Sequence, residues 1–409
     1  MTKEKSSSIL FWMLFFVYTV NIVGKTSFSA ATVALVSDGI LTKTQAGIVS
    51  GLFWLLYAVG QFFGGFATEK VNSYTLMQST IISSLLANLL MIFEENFWLM
   101  LITWGLNGAL QFGLWPALLK IVATEILPTQ RSGSMAKLGF CYCLGSIVSY
   151  VLTAFILLRT SYRYIFVCCS VIIAVSLIAC IYAKRVLSPQ LQEKQLQSKS
   201  ASSVSKGKFS LRVILDSGLV AFCLLIAIRN IVDNGIKNWL PVIIMETYGA
   251  SASFSTLLSV GLLITNVFGV MICVFIFSKT KYDELHTLQI IYFMVLPMML
   301  CLLGFKNMNM YVATFLMSVI TLLVYGSGQI MMINYPNRFR QYGLIAAVGG
   351  IINSFAAFGN VIASYTGGYV AENYGWKSMI WIWNVLVIIF VIVSILLIPV
   401  WKKFIKKEH

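Results

Sequence analysis

The stretch from Ser188 to Ser210, SPQLQEKQLQSKSASSVSKGKFS, decides the fold because it is a long polar run in an otherwise apolar chain. Its Ser, Gln and Lys residues offer too little apolar surface to build a core. Six apolar stretches of about 20 residues precede it and six follow it, and that length crosses a bilayer as a helix. The polar run therefore indicates a linker between two halves.

These twelve stretches predict an all-α membrane protein with twelve transmembrane helices in two six-helix halves. The halves are 1–183 and 216–409, and the cytoplasmic linker is 184–215. Two similar halves joined by a linker are typical of secondary transporters, whose site lies near mid-membrane. The predicted spans are 8–36, 44–68, 74–94, 97–124, 134–158, 161–183, 216–245, 250–278, 285–304, 309–334, 343–370 and 376–401.

The composition excludes a water-soluble globule. Of 409 residues, 59% are hydrophobic and 11% are charged, and the mean hydropathy is +0.86, whereas a soluble domain averages about a quarter charged residues. The formal net charge of +15 would suggest a nucleic-acid partner for a soluble protein, but here the bases lie between apolar stretches. We therefore expect a lipid bilayer around the chain and no nucleic acid.

The distribution of lysine and arginine predicts the orientation, because cytoplasmic loops carry an excess of both. Twenty of them fall on the side of the N-terminus. We therefore predict a multi-pass plasma-membrane protein whose termini and linker are cytoplasmic. The five that fall on the other side are Lys43, Arg159, Arg163, Lys306 and Lys377.

Nothing in the sequence indicates an enzyme, a cofactor or a metal site. The eight cysteines fall in apolar stretches without paired CxxC spacing, as small buried hydrophobic residues do. His286 lies at a predicted cytoplasmic helix start and His409 is the last residue, so neither serves as a buried base. No P-loop, GxSxG or HExxH motif occurs. Transport would then be driven by a gradient of substrate or ion.

Ionisable side chains inside predicted spans mark the candidate site, because a charge in hydrocarbon costs at least about 2.5 to 3.5 kcal/mol. Counting about 1.5 Å per residue, Lys25 and Arg229 lie between mid-membrane and its outer half. They occupy spans one and seven, which are equivalent in the repeat. Two cations facing a shared cavity predict an anionic substrate. The full set is Lys25, Lys120, Arg229, Asp233 and Lys237.

The charges around Arg229 leave alternatives open. Arg229 and Asp233 are four residues apart and share a helix face, so they would neutralise each other unless a substrate displaces Asp233. Asp233 is also the only acid well inside a predicted span, which makes it the candidate proton carrier. Lys237 would extend to the outer interface. Lys120 would extend to the cytoplasmic side or line an exit path.

The stretch WGLNGALQFGLWPALLK at 104–120 resembles span four of the organophosphate:phosphate antiporter family, within the major facilitator superfamily. The resemblance rests on Gln111, Trp115, Pro116 and Lys120, and it extends over most of the chain. DNGIKNWLP, starting at 233, resembles the family's span seven, and PNRFRQYG, starting at 336, resembles a loop of its Gram-positive branch. GQFFGGFATEK, which follows predicted span two, resembles the superfamily's loop signature through Gly65, Glu69 and Lys70.

The resemblance implies an altered phosphate site. The family's span-one Arg aligns with Lys25, which keeps the charge, while its span-seven Arg aligns with Asp233, with Arg229 one turn earlier. Its span-two Lys and span-five His align with the neutral residues Gln61 and Tyr142. The fold and an anionic substrate are implied, and phosphate specificity stays open.

We therefore predict a secondary active transporter that moves a small phosphorylated or carboxylated organic anion by alternating access. It would be a monomer working as an antiporter or symporter, with protons or phosphate as the coupling ion. Lys25 and Arg229 would bind the anion, and Asp233 would couple or neutralise. The alternatives are a proton-coupled exporter of drugs or neutral solutes and a non-transporting sensor of the same fold. Further polar or aromatic contacts, unless these residues only pack between helices, would come from Gln61, Gln111, Tyr142, Trp239 and Gln329.

Overall fold

The structure is a computed structural model, and it describes residues 3–188, 217–281, 283–342 and 344–406. Within helices, it describes the backbone alone at residues 62–70, 132, 136, 341 and 346. Most of the predicted linker, 189–215, lies outside the described residues.

The described chain is helical throughout, and this confirms the predicted all-α fold. Nine helices are long and apolar enough to cross a membrane, judged by length and composition over the described residues. Each of the twelve predicted spans is largely helical, with spans four and five each made of two helices, so the structure is consistent with twelve crossing helices. Before the linker, the α-helices are α1 Lys3–Ser37, α2 Lys43–Lys70, α3 Ser73–Met91, α4 Phe97–Leu110, α5 Leu114–Glu125, α6 Pro128–Leu138, α7 Cys141–Ile156 and α8 Arg163–Tyr182.

The helices after the linker match the prediction equally closely. A π-helical turn, Ile330–Asn334, prolongs the tenth predicted span. The longer helices of this part are α9 Leu219–Tyr248, α10 Ala252–Lys279, α11 Glu284–Cys301, α12 Met310–Gln329, α13 Ile345–Asn373, α14 Gly375–Leu396 and α15 Ile398–Lys406.

The chain forms two compact units. Unit 1 comprises Met1–Ile40 and Leu52–Ser202, and unit 2 comprises Leu41–Gly51 and Ser203–His409. In unit 1, α1 packs against α7 and α8, and α3 packs against α8. In unit 2, α10 packs against α12, α9 against α13, and α11 against α14.

Polar residues cap the helix starts, as their short side chains predict. Asn72 accepts hydrogen bonds from the backbone N–H groups of Tyr74 and Thr75, and Asn96 does the same at the start of α4. Asp283 caps α11 through the N–H of His286. These caps satisfy backbone donors that a helix start leaves without intrahelical partners.

The last helix, α15, is held in unit 2 by its aromatic side chains. Trp401 and Phe404 are each 2% exposed. The Trp401 ring lies 5.3 Å from that of Phe222 and 5.9 Å from that of Tyr335, and its Nε1 donates to Asp283 Oδ1 over 3.0 Å. One face of α15 is thereby buried.

Several helix boundaries differ from the prediction, and three differences concern features that the sequence singled out. The helix α2 runs through Lys70, so the predicted loop signature is helical, and the side chains of Gly65, Glu69 and Lys70 lie outside the described residues. Predicted span four is divided by a 3-10 turn at Gln111–Gly113, because Pro116 lacks the N–H that would bond to the carbonyl four residues earlier. The helix of span six continues as a π-helical turn through Leu187, into the predicted linker.

Candidate functional site

Lys25 lies on α1 of unit 1 among aromatic rings. Its Nζ is 3.7 Å from the ring centroid of Tyr57, 4.6 Å from that of Trp54 and 5.7 Å from that of Phe53. A lysine ammonium this close to a ring face is attracted by the ring quadrupole. The stretch FWLLY at 53–57 supplies all three rings from one face of α2, since residues three and four apart are neighbours on a helix.

A glycine on α4 allows α2 to hold these rings in place. A Cβ at Gly108 would collide with the carbonyl oxygen of Phe53, so only glycine permits this approach of the two backbones. The Phe53 ring then stacks on that of Trp104, with centroids 5.6 Å apart, and Trp104 packs against Phe28 on α1. The aromatic surroundings of Lys25 are therefore built by α1, α2 and α4 together.

No carboxylate lies within ion-pair distance of Lys25 among the side chains that the structure describes. The aromatic rings offset part of the cost of placing an ammonium here, but they carry no net charge. Among the described side chains, Lys25 therefore has no acidic partner.

In unit 2, α9 carries three charged side chains four residues apart. Arg229 is 5% exposed, Asp233 2% and Lys237 9%. Asp233 Oδ2 lies 2.6 Å from Lys237 Nζ and 3.5 Å from Arg229 Nη2. The Tyr325 ring of α12 lies beside both cations, 4.1 Å from Lys237 Nζ and 5.6 Å from Arg229 Cζ. Two buried cations thus share one carboxylate.

The predicted position of Lys237 at the outer interface is wrong. Its ammonium is buried and bonded to Asp233. The alternative of an Arg229–Asp233 pair holds, although that contact is the longer of the two. Both cations contact the same carboxylate oxygen of Asp233, Oδ2. The other oxygen, Oδ1, has no hydrogen-bond partner among the described residues.

Fixed acceptors hold the guanidinium of Arg229. Its Nε donates to the carbonyl of Val324 over 3.0 Å, and its Nη2 donates to that of Tyr325 over 2.9 Å. Its Nη1 donates to the side chain of Asn230 over 2.6 Å. A Cβ at Gly328 would lie 2.9 Å from Nη2, so glycine leaves room for the guanidinium. Arg229 therefore ties α9 to α12.

Carboxamide groups extend the polar face of α9 toward α13. Asn230 Nδ2 donates to the carbonyl of Ala356 over 2.9 Å and to Asn360 Oδ1 over 3.0 Å. Asn234 also donates to Asn360 Oδ1. The polar residues of α9 are thus bonded to α12 and α13.

The other predicted site residues differ in burial and in bonding. Gln111 is buried and donates to Asn107 Oδ1 over 3.0 Å. Gln61 is half-buried, and its Nε2 has no hydrogen-bond partner among the described residues. Tyr142 on α7 and Gln329 at the end of α12 are half-buried.

Trp239 is a buried residue of α9. It is buried against Trp376, with ring centroids 5.9 Å apart, and close to Gly367. Among the predicted site residues, the structure brings together Arg229, Asp233 and Lys237.

Sequence reasoning missed two other buried acids. Glu125, at the end of α5, accepts a hydrogen bond from the Tyr74 hydroxyl over 2.7 Å. Glu284, at the start of α11, forms an ion pair with Arg338 over 2.9 Å. Both lie at helix ends, where the sequence predicts exposure. Over the described residues, no group of three or more His, Cys, Asp or Glu could hold a metal ion.

The Major Facilitator Superfamily model matches residues 14–341 of the chain. The membrane sensor protein UhpC of Salmonella typhimurium is 27% identical over 138 residues, which are 34% of this chain and 31% of that protein. The probable hexose phosphate transport protein of Chlamydia muridarum is 24% identical over 144 residues, 35% of this chain and 32% of that protein. The chain thus aligns with about a third of the length of these two relatives.

A longer alignment joins the chain to the hexuronate transporter of Bacillus subtilis, at 23% identity over 385 residues, 91% of this chain and 90% of that protein. Among solved structures, a bacterial homologue of the human lysosomal transporter Spinster has a TM-score of 0.77 at 13% identity, with 98% of each chain covered. The nucleoside transporter NupG has a TM-score of 0.70 at 10% identity, covering 96% of this chain and 99% of that one. These likenesses concern the fold.

Proposed function

The chain belongs to the Major Facilitator Superfamily, and we propose that it is a secondary active transporter of a small organic anion. Membership of this superfamily supports a transporter rather than an enzyme. Alternating access of a membrane-embedded site would then move the substrate down or against its gradient.

The observation that carries the proposal is Lys25. It lies among Phe53, Trp54 and Tyr57, and no described carboxylate is within ion-pair distance of it. A charge in a membrane span is costly, so an uncompensated one is retained for a function. Binding of an anion would supply the missing negative charge.

The charges of unit 2 support the same sign of substrate. Arg229, Asp233 and Lys237 sum to one positive charge when all three are ionised. Asp233 is the candidate coupling residue, because protonation of its carboxylate would release both cations from it. Of the candidates that stay proposals, Gln61 and Trp239 each have a buried donor, Nε2 and Nε1, without a hydrogen-bond partner among the described residues.

The names of two relatives narrow the class of anion to test. One relative is described as a hexose phosphate transport protein and the other as a hexuronate transporter. The first substrate is phosphorylated and the second carboxylated, and both derive from a hexose. We therefore propose a hexose-derived anion as the substrate.

Uptake into proteoliposomes tests this proposal directly. Labelled glucose 6-phosphate and glucuronate would be offered with and without a pH gradient, beside neutral glucose. We expect uptake of at least one anion and none of glucose. The Lys25→Met variant should lose uptake, while Lys377→Met, which removes an exposed lysine, should retain it. Uptake of glucose alone, or an unchanged rate in Lys25→Met, would contradict the proposal.

A sensor of the same fold is the second candidate, favoured by the similarity to UhpC, which is described as a membrane sensor protein. A sensor would bind the anion without moving it. Equilibrium binding of glucose 6-phosphate to the purified protein, together with absent counterflow in proteoliposomes, would support this candidate over transport. Export of neutral solutes driven by a pH gradient would instead indicate the drug-exporter alternative.

The orientation, the location in the plasma membrane and the monomeric state stay predictions. The coupling ion, proton or phosphate, belongs to the same proposal and is tested by the pH-gradient arm of the uptake experiment.

A further inference from the structure

The last helix of unit 2, α15, carries three lysines on the side opposite its aromatic side chains. Lys402, Lys403 and Lys406 are exposed, whereas Trp401 and Phe404 are each 2% exposed. With about 3.6 residues per turn, the three lysines lie on the side of the helix turned away from the two buried rings. The packing of these rings in unit 2 therefore fixes the side on which the lysines are presented.

Two connections between helices of unit 2 bring further bases to α15. Trp401 Nε1 donates to Asp283, which lies between α10 and α11. The Phe404 ring lies 5.6 Å from that of Phe339, between α12 and α13. Exposed bases lie within four residues of both contact points. Together with the lysines of α15 they form a basic face, which consists of Lys279, Lys281, Arg340, Lys402, Lys403 and Lys406.

Nearby acids leave the charge of the basic face largely uncompensated. Asp283 contributes one negative charge, and its carboxylate accepts from Trp401 and from the N–H of His286. Glu284 pairs instead with Arg338, which is not part of the basic face. None of the six bases forms an ion pair with a side chain that the structure describes. The basic face is therefore suited to an anionic partner.

Exposed apolar side chains lie next to these bases. Phe275 on α10 is 62% exposed, and Lys279 follows one turn later with its Nζ 5.4 Å from the Phe275 ring centroid. On α14, Leu396 is 69% exposed, and the lysines of α15 begin six residues later at Lys402. Val400, just before them, is 38% exposed.

This change from apolar to basic surface marks the level of the lipid headgroups. The helices α10 to α14 are all long and apolar enough to cross a membrane. If they cross in turn, the ends of α10, α12 and α14 fall on the same side. Exposed apolar residues of such helices face lipid tails, and bases at their ends lie among the headgroups.

We infer that the basic face binds the headgroups of anionic phospholipids, with α15 lying at the membrane surface. Clusters of about four to eight Lys or Arg beside a membrane-crossing helix attract anionic lipid. Topology alone accounts for an excess of bases on one side of the membrane. It does not require a helix held by two buried rings so that its lysines stand beside exposed apolar surface. The lipid site is independent of the transported substrate.

The test measures the melting temperature of the purified protein in detergent with graded phosphatidylglycerol, and neutral phosphatidylcholine is the control lipid. The test variant combines Lys402→Gln, Lys403→Gln and Lys406→Gln. We expect it to need at least about tenfold more phosphatidylglycerol than the wild type for half-maximal stabilisation, because the attraction of the three bases adds. Replacing the same lysines with Arg keeps the charge and should restore the response.

A matched control removes three exposed bases of unit 1, through Lys5→Gln, Lys137→Gln and Arg185→Gln. It should respond to phosphatidylglycerol as the wild type does. Raising the concentration of NaCl should weaken the wild-type response, because salt screens exposed charges. Inorganic phosphate and poly-glutamate are offered separately, as a soluble anion and an acidic polypeptide, and neither should replace the lipid.

Each other outcome overturns the lipid site. An unchanged response in the α15 triple variant, or equal stabilisation of the wild type by phosphatidylcholine, would do so. An equal loss in both triple variants would indicate a general effect of the excess bases. Stabilisation by phosphate or poly-glutamate that needs the α15 lysines, without any by phosphatidylglycerol, would assign the basic face to a soluble partner. Failure of the α15 triple variant to fold would mean that its lysines have partners within the protein.

Discussion

Each unit carries cations inside a predicted span, half-buried Lys25 in unit 1 and buried Arg229 and Lys237 in unit 2, and the two units accommodate them in opposite ways. Lys25 on α1 lies among the rings of α2, without a described carboxylate in reach. Arg229 and Lys237 on α9 share Asp233. Aromatic rings lower the free-energy cost of a buried charge without neutralising it. A carboxylate neutralises the charge, and the loss of either partner then leaves the other uncompensated.

This difference predicts that removing the charge of Lys25 affects function, whereas removing a charge of α9 affects stability. The charge on Lys25 supports no ion pair in the described structure, so its removal should spare the fold. The charges of α9 depend on each other, so removing one of them should disturb the others. Each of the following predictions tests one side of this contrast.

The largest effect should come from Asp233→Ala. It leaves two buried cations without their carboxylate, and we expect the free energy of unfolding to fall by about 3 to 5 kcal/mol. Melting temperature in detergent and denaturant titration would measure this. The double variant Asp233→Ala with Lys237→Met retains only Arg229, which keeps three other acceptors, so it should recover much of the loss. If the single and double variants were equally stable, the charges of Asp233 and Lys237 would not be coupled.

The second effect concerns binding rather than stability. Lys25→Met should lower anion affinity by about 30-fold, equivalent to roughly 2 kcal/mol for a hydrogen bond to a charged group. Its melting temperature should match or exceed that of the wild type, since a costly charge is removed. Anion titration followed by thermal shift measures both quantities in one sample. A large drop in melting temperature would mean that Lys25 is structural after all.

A smaller effect should follow from Trp54→Leu, which removes one ring beside the Lys25 ammonium. We expect a loss of about 1 kcal/mol in stability beyond the loss of packing. The matched comparison is Trp98→Leu, because Trp98 is largely exposed. In a Lys25→Met background, Trp54→Leu should cost less, and the difference is the coupling energy of the pair. Identical costs in both backgrounds would argue against the cation–π contact.

The smallest effect should come from a less buried ion pair in unit 2. Lys43 Nζ lies 3.0 Å from Glu246 Oε1, with 17% and 29% of the two side chains exposed. Partial exposure limits the contribution to about 1 kcal/mol or less. Lys43→Met should therefore shift the melting temperature slightly, and added salt should shrink the shift. A shift as large as that of Asp233→Ala would show that burial does not distinguish these pairs.

The fold follows from the sequence because the bilayer allows few solutions. A helix is the way for an apolar segment to satisfy its own backbone groups in lipid, so stretches of about 20 apolar residues mark the helices. The break before Pro116 was also open to prediction, since proline removes a helical hydrogen bond. The extension of α2 through Lys70 was not, because polar residues there suggested a loop.

The candidate site was only partly predictable. The spacing of Asp233 and Lys237 already places them on one helix face, but depth along the helix favoured an interfacial Lys237. That estimate assumes that a long side chain can reach the surface. Only 9% of Lys237 is exposed, so neighbouring helices enclose it. The rings beside Lys25 come from another helix, and no spacing on α1 reveals them.

The packing of α15 affects how long a purified sample stays free of aggregates. Trp401 bonds to Asp283, the residue that also caps α11, and lies against Phe222 and Tyr335. Proteolysis after Leu397 would remove Trp401 and expose the rings of Phe222 and Tyr335. It would also remove the Nε1 donor that bonds to the capping carboxylate of Asp283. A proteolysed preparation should therefore aggregate sooner on storage than an intact one, although it still contains every charged residue of α9.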